Sequence, residues 1–209
     1  AHGHDDRVCS YASLAALLGV EKPERTTVGL YVDKEEVGSI GATGMHSQFF
    51  NNMVGEMIAL INGGNCSDIS IRRALAHSTL LSADVAAAFD PNYPSVGDNA
   101  NFAAIGQGIA MVKYTGSRGK SGANDAAAEL VGKVRKLFND HGVVYQTSEL
   151  GKVDQGGGGT IAYIMANYDM DVIDAGVAML SMHAPWEIVS KADVYMTSRA
   201  YHEFFVNYR

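Results

Sequence analysis

The stretch TTVGLYVDKEEVGS, residues 26–39, decides how this chain is read, because an apolar run over residues 27–32 leads straight into Asp33, Lys34, Glu35 and Glu36. Thr27, Val28, Tyr31 and Val32 are β-branched or aromatic and suit a pleated, half-buried surface, so the run predicts a strand. Carboxylates at the carboxyl end of a buried strand are costly to desolvate unless something positive holds them. A metal ion or a substrate cation is therefore the simplest explanation of the Glu35, Glu36 pair. The alternative on these residues alone is an acidic exit from strand to loop, solvated by water.

Helical patterns flank this stretch on both sides. Before it, Val8, Tyr11, Leu14, Ala15 and Leu18 recur at helical spacing over residues 6–18; after it, Phe49, Met53, Met57 and Leu60 predict a helix that stops at Gly63-Gly64. Further on, the patterns predict a helix over 68–77, a strand over 79–85 and, after a polar loop through Asp90, Pro91 and Pro94, a strand over 108–114. A helix over 124–139 carries Leu130, Val134 and Leu137 on one face. Then come a strand over 143–147, a helix over 160–168, a buried strand over 172–182 and a closing helix over 191–208. Alternation of this kind predicts an α/β fold, layered α/β/α around a largely parallel central sheet. No internal repeat and no long linker divides it.

Composition restricts the class further. With 209 residues, 47% hydrophobic and 19% charged, the chain suffices for one large core. Its formal charge of -7 argues against nucleic acid or an anionic membrane as partner. No apolar run reaches the roughly 18 residues that span a bilayer, and the opening AHGHDDRVC lacks the apolar centre of a signal peptide. A cytoplasmic location is the expectation, with Cys9 and Cys66 as reduced thiols. The opening also lacks an initiator methionine, and the expectation is a piece of a longer polypeptide.

In an open α/β sheet, ligands bind outside the carboxyl ends of the strands. That rule gathers Glu35 and Glu36 after the first strand, Asp84 at the end of TLLSADV and His183 at the end of VAMLSMHAPW, with Asp5 and Asp6 at the start of the first helix. Carboxylate oxygen and imidazole nitrogen form a ligand set for zinc, cobalt or manganese, and two such ions need a carboxylate bridge. A dinuclear site activates water and polarises a carbonyl together. Of two adjacent glutamates, one can bind metal while the other accepts the proton of the water. His2, His4, His46, His77, His141 and His202 lack such placement and are expected on the surface or in loops.

Two glycine-rich segments stay open. Gly156, Gly157, Gly158 and Gly159 suit either a flexible linker or a close approach of backbone to a peptide. GSRGKSG, residues 116–122, has the look of a phosphate-binding loop and suggests an ATP-binding protein, but Tyr114 stands where the first glycine of that motif belongs and the acidic strand precedes the loop. A basic solvated loop carrying Arg118 and Lys120 fits better.

The motifs DDRVCSY (5–11), DKEEVGSIGATGM (33–45), SADVAAAFDPNYP (82–94), VKYTGSRGKSGAND (112–125), KVDQGGGGTIAY (152–163) and LSMHAPWEIVSKADVYM (180–196) closely resemble, in order, the aminopeptidase I/aspartyl aminopeptidase family of co-catalytic zinc metallopeptidases. The resemblance implies a zinc-exopeptidase-like (phosphorylase/hydrolase-like) fold, two divalent ions, zinc foremost, and hydrolysis of the amino-terminal residue from short peptides. By that likeness Asp5 bridges the metals, Glu36 and His183 complete one site, Asp84 belongs to the other and Glu35 is the general base. Lys113 matches a family lysine near the substrate, and the segment holding Asp154, Gly158 and Thr160 matches a loop lining the specificity pocket. Family members are about twice as long, so the likeness makes residues 1–209 the C-terminal part of a catalytic domain. It places an upstream metal-binding His and a dimerisation domain outside this chain, and it implies a homo-oligomer, a dodecamer in the family. The aspartyl branch usually has His where this chain has Ala87, which leaves a preference for acidic amino-terminal residues unsupported. An inactive, structural family-like subunit is the non-enzymatic alternative.

Overall fold

A computed structural model describes residues 1–118, 121–122 and 124–209. The helices and strands among them, in chain order, are α1 (His4–Leu18), α2 (Phe49–Ile61), α3 (Asp68–Ala76), β1 (Thr79–Ser82), β2 (Ala86–Ala87), β3 (Ile109–Val112), α4 (Ala128–Asp140), β4 (Tyr145–Ser148), α5 (Ala162–Ala166), β5 (Asp171–Gly176), β6 (Ala178–Leu180), β7 (Ile188–Val189) and α6 (Lys191–Asn207). The main sheet has the order β1-β5-β3-β4; β1 runs parallel to β5 and β3 to β4, whereas β3 meets β5 antiparallel. The predicted largely parallel sheet is thus present, with one antiparallel junction at its centre.

Successive residues of a strand face opposite sides, and β5 uses both. Ile173 and Ala175 pack with Ile109 and Met111 against α1, α4 and α6 through Val8, Cys9, Ala12, Leu130, Val134, Phe138, Ala200 and Tyr201. Val172 faces the other way and joins Phe50, Val54, Leu75, Ile164 and Met165 of α2, α3 and α5. Helices on both faces of one sheet make the expected α/β/α layers. No described helix is long and apolar enough to cross a membrane.

Two predicted strands turn out to be broken. The chain leaves the main sheet after Ser82 and again after Gly176, and continues from Ala86 and Ala178 in a second sheet of order β2-β6-β7. The two strands step together: Ser82 lies opposite Asp174 before the step and Ala86 opposite Ala178 after it, with no slip in register. Asp84 sits in this step. Its carbonyl comes so close to Gly176 that a methyl group built on that glycine would overlap it. The residue is glycine because the backbone of the step occupies the space of a side chain.

The strand expected over residues 27–32 does not form. This segment forms no strand ladder with any described strand, and the nearby backbone bond from Asp33 N–H goes to the Thr43 carbonyl. Its β-branched and aromatic residues favour extended backbone, but a strand also needs a partner edge. Glu35–Val37 then form a single 3-10 turn. On α2 the inward side chains are Phe50 and Val54, whereas Phe49 and Leu60 are exposed. The helix predicted over 160–168 is shortened to α5, and β7 has no counterpart in the sequence patterns. The suggested phosphate-binding loop, residues 116–122, includes Gly119 and Lys120, which lie outside the described residues.

Candidate metal centre

Asp5 and Asp6 open α1 but do not follow its helical dihedrals, with φ −83°, ψ 109° at Asp5 and φ −114°, ψ 35° at Asp6. This departure lets neighbouring carboxylates serve one cleft instead of diverging by the 100° of a helical step. Two groups of potential ligand atoms result. Asp5, Glu36 and His183 form one and Asp5, Asp6 and Asp84 the other, the atoms of each lying within 4.8 Å of one another. Asp5 is common to both.

The first group is held by long-range contacts. His183 Nε2 lies 2.9 Å from Asp5 Oδ2 and 3.0 Å from Glu36 Oε1. His183 has a left-handed backbone, φ 66°, as does Lys34 with φ 64°, immediately before the turn that presents Glu35 and Glu36. Positive φ is uncommon in residues other than glycine and clusters where a side chain must be aimed. The second group is built into the sheet step through Asp84, whose Oδ1 accepts a 2.8 Å hydrogen bond from Val85 N–H.

The electrostatics fit cations. Burial, with the neighbouring Glu36 charge, raises the Asp5 carboxyl to about 6 even against the lowering effect of His183. Burial lifts Asp6 to about 8, and holds Asp84 well above the usual carboxylate range, with Asp6, Asp174 and Asp5 adding repulsion. Glu35 is also raised, by burial first and then by Glu36 and Asp5. Among the described residues, neither lysine nor arginine forms an ion pair with any of these carboxylates. Asp6 Oδ1 is buried without a hydrogen-bond partner. A concentration of buried acid with one imidazole and an unpartnered oxygen is the environment that divalent ions relieve, and the donor set suits zinc.

Asp5, Asp6, Glu36 and Asp84 of these groups line a cleft of about 860 Å³ together with apolar side chains including Leu30, Val54, Met57, Leu81 and Phe204. Glu35 lines the cleft beside the ligand groups without belonging to either. Asp174, opposite Ser82 in the sheet, is 2% exposed, and burial raises its carboxyl to about 6, moderated by the Ser82 and Thr160 hydroxyls.

The structure brings together Asp5, Glu36, Asp84 and His183, with Glu35 alongside. The other expected residues are placed as follows. Lys113 is paired with Asp125 and lies 4.3 Å from the centre of the Tyr114 ring. Asp154 N–H bonds to the Arg118 carbonyl, and Gly158 accepts from Gly116 N–H at 2.6 Å. Thr160 is buried, and its hydroxyl accepts from Ala162 N–H at the start of α5. Asp6 was visible as part of an acidic doublet, but its membership of the second ligand group was not. The sequence signal of Asp174 is a lone acid inside the apolar run VIDAGVAM. Of the remaining histidines, His46 contacts Tyr163 Oη and His141 pairs with Glu203, away from these groups.

Comparison with known proteins adds a family context. Residues 1–205 match the model of the family described as aminopeptidase I zinc metalloprotease (M18). A Clostridium acetobutylicum protein named "Probable M18 family aminopeptidase 1" is 55% identical over 206 residues, covering 99% of this chain and 44% of that protein. A protein of the same name from Thermotoga maritima is 46% identical over 201 residues, 96% of this chain and 44% of its own length. The crystal structure of the Thermotoga maritima M18 aminopeptidase superposes with a TM-score of 0.94 at 46% identity, over 99% of this chain and 45% of the other. That of aminopeptidase I from Clostridium acetobutylicum gives 0.90 at 54% identity, over 99% and 44%. The chain thus spans less than half the length of these relatives.

Proposed function

Because the chain belongs to the aminopeptidase I zinc metalloprotease family, M18, we propose that it forms the metal-binding part of an aminopeptidase that removes the amino-terminal residue of short peptides. The observation that carries this reading is the sharing of Asp5 between two ligand groups, since a carboxylate offering oxygens to both is what a pair of divalent ions requires. Asp5 would bridge, Glu36 and His183 would hold one ion, and Asp84 with Asp6 beside it would hold the other. When bound, two zinc ions polarise the scissile carbonyl and increase the acidity of water.

The chain's own residues supply the proton transfers. Glu35, half-buried and raised in pKa by burial and acidic neighbours, takes the proton from water and returns it to the leaving amine. The apolar remainder of the cleft would receive peptide side chains. Lys113 and the loop with Asp154, Gly158 and Thr160 would flank the substrate. Further parts of the protein would complete the site, including an upstream histidine for the second ion. The share of the relatives' length covered supports that reading, as does the unpartnered extended segment at 26–32 beside the cleft. A structure from S. cerevisiae described as the mApe1 dodecamer, 26% identical with a TM-score of 0.72, makes a dodecamer the assembly to look for. Two free cysteines, Cys9 buried and Cys66 exposed, favour a reducing compartment such as the cytoplasm.

Zinc titration with peptide hydrolysis tests the assignment. Glu36→Ala and His183→Ala should each lose zinc and turnover together. Unchanged zinc stoichiometry in both variants would remove the proposed site.

A further inference from the structure

Glu187 follows the proposed ligand His183 by four residues and is 3% exposed, although its neighbours Trp186 and Ile188 are 78% and 56% exposed. The segment therefore turns its only carboxylate inward and leaves its large apolar side chains in water. Burying an ionised carboxylate is costly without several donors. Three backbone groups supply them: Oε2 accepts from His4 N–H at 2.5 Å and Asp5 N–H at 3.3 Å, and Oε1 accepts from His183 N–H at 3.1 Å.

The main chain of Glu187 reinforces the connection. The backbone nitrogen of Ala1 donates to the Glu187 carbonyl at 2.7 Å, and Glu187 N–H donates to the Ala1 carbonyl at 3.0 Å. One residue thus ties the first five residues of the chain to the loop carrying His183. Gly3, preceding α1, offers no side-chain cap, and Glu187 takes that place from the far end of the sequence. The tied backbones belong to the shared Asp5 and to His183, the latter held in a left-handed conformation.

We propose that Glu187 is a positioning residue for the metal centre: by gripping the amides of His4, Asp5 and His183 with one buried carboxylate, it fixes the separation of two ligands on which one of the ions depends. The inference rests on Asp5 and His183 being ligands. Partners that orient ligands typically change metal affinity by about 10–100-fold when removed. In Glu187→Gln a single carbonyl oxygen replaces two acceptors. An amide NH2 facing the two donors at the start of α1, or the one at His183, must displace one of them.

The test is competitive titration of zinc alone against a chromophoric chelator, with thermal melting of the metal-free proteins in parallel. Glu187→Gln should bind the zinc of the Asp5, Glu36 and His183 group about 10–100-fold more weakly, with a smaller loss at the other ion, which shares only Asp5 with the gripped backbone. Wild-type affinity for both ions in Glu187→Gln would overturn the proposal and leave the metal centre standing. Absence of zinc binding by the wild type would overturn both. A measurement that needs no variant is amide hydrogen exchange of the metal-free wild type. Protection at His4, Asp5 and His183 is expected, and exchange there at the rate of open chain would overturn the grip.

Discussion

The two sides of the candidate metal centre are built in opposite ways. Asp84 lies in a step between paired strands whose register is the same before and after it, and the glycine opposite has been emptied of side chain to admit its backbone. Glu35 and Glu36 sit on a 3-10 turn after an extended segment without a strand partner, and Glu36 meets His183 from a largely exposed position. The sheet side is placed by hydrogen-bonded backbone that exists before any ligand arrives. The loop side is held by local backbone hydrogen bonds, among them Ser39 N–H to Lys34 and Asp33 N–H to Thr43, and meets Asp5 and His183 only through contacts among charged groups, which ions would tighten. Groups needing fixed geometry can come from the sheet, whereas a base that must both take and release a proton can stand on a more adjustable turn.

The largest expected effect tests the loop side. Glu35→Gln should lower kcat by about 10²–10⁴-fold with zinc content and melting temperature unchanged, because only proton transfer is removed. Full activity would exclude Glu35 as base, and lost zinc would make it a ligand instead. On the sheet side, Gly176→Ala should destabilise the fold by about 1–3 kcal/mol in urea unfolding, since the added methyl overlaps the Asp84 carbonyl. The contrasting substitution is Gly38→Ala, after the glutamate turn. Gly38 has φ 94° and open space around it, so the cost is backbone strain alone, about 1 kcal/mol. If the two substitutions cost the same, the sheet side is not the more tightly built.

pH separates the metal-free state from the loaded one. Carboxyls with raised folded-state values bind protons more tightly when folded, so their contribution is present at low pH and is lost as pH rises. With Asp5 at about 6 and Asp6 at about 8 against an ordinary 3.8, chelated protein should lose thermal stability from about pH 4 to about pH 8. Added zinc should flatten that dependence. A metal-free melting temperature that rises over the same interval would contradict the burial of these two acids. The smallest effect is local: chelation should increase amide exchange more at residues 33–39 than in β1 or β5. Equal changes would show the two sides to be one cooperative unit.

Much of this architecture was legible in the chain. Helical spacing in residues 6–18 and 191–208 and the apolar face of Leu130, Val134 and Leu137 correspond to α1, α6 and α4. These patterns survive because a helix closes its own hydrogen bonds and needs only one apolar face to dock. Strands were less legible. The run at 27–32 satisfied every local requirement and lacked a partner, while the continuous apolar run at 172–182 concealed a change of sheet at Val177. Asp5, Glu36, Asp84 and His183 were found as acids and an imidazole beside strand ends and in family-like motifs, and the structure gathers them. Glu187 was missed because its partners are backbone N–H groups, which every residue but proline has and no sequence pattern distinguishes.

The sequence by itself determined the alternation of elements, the family and the chemical types available to the site, because these depend on side-chain identity and local periodicity. Only the tertiary structure decided that Asp6 joins Asp5 and Asp84 in one ligand group, that Asp84 is seated in a strand step beside Gly176, and that the start of α1 is fastened by a carboxylate 183 residues beyond His4. Those facts depend on which backbones approach one another, and that is set by the pairing of strands and the packing of helices across the whole chain.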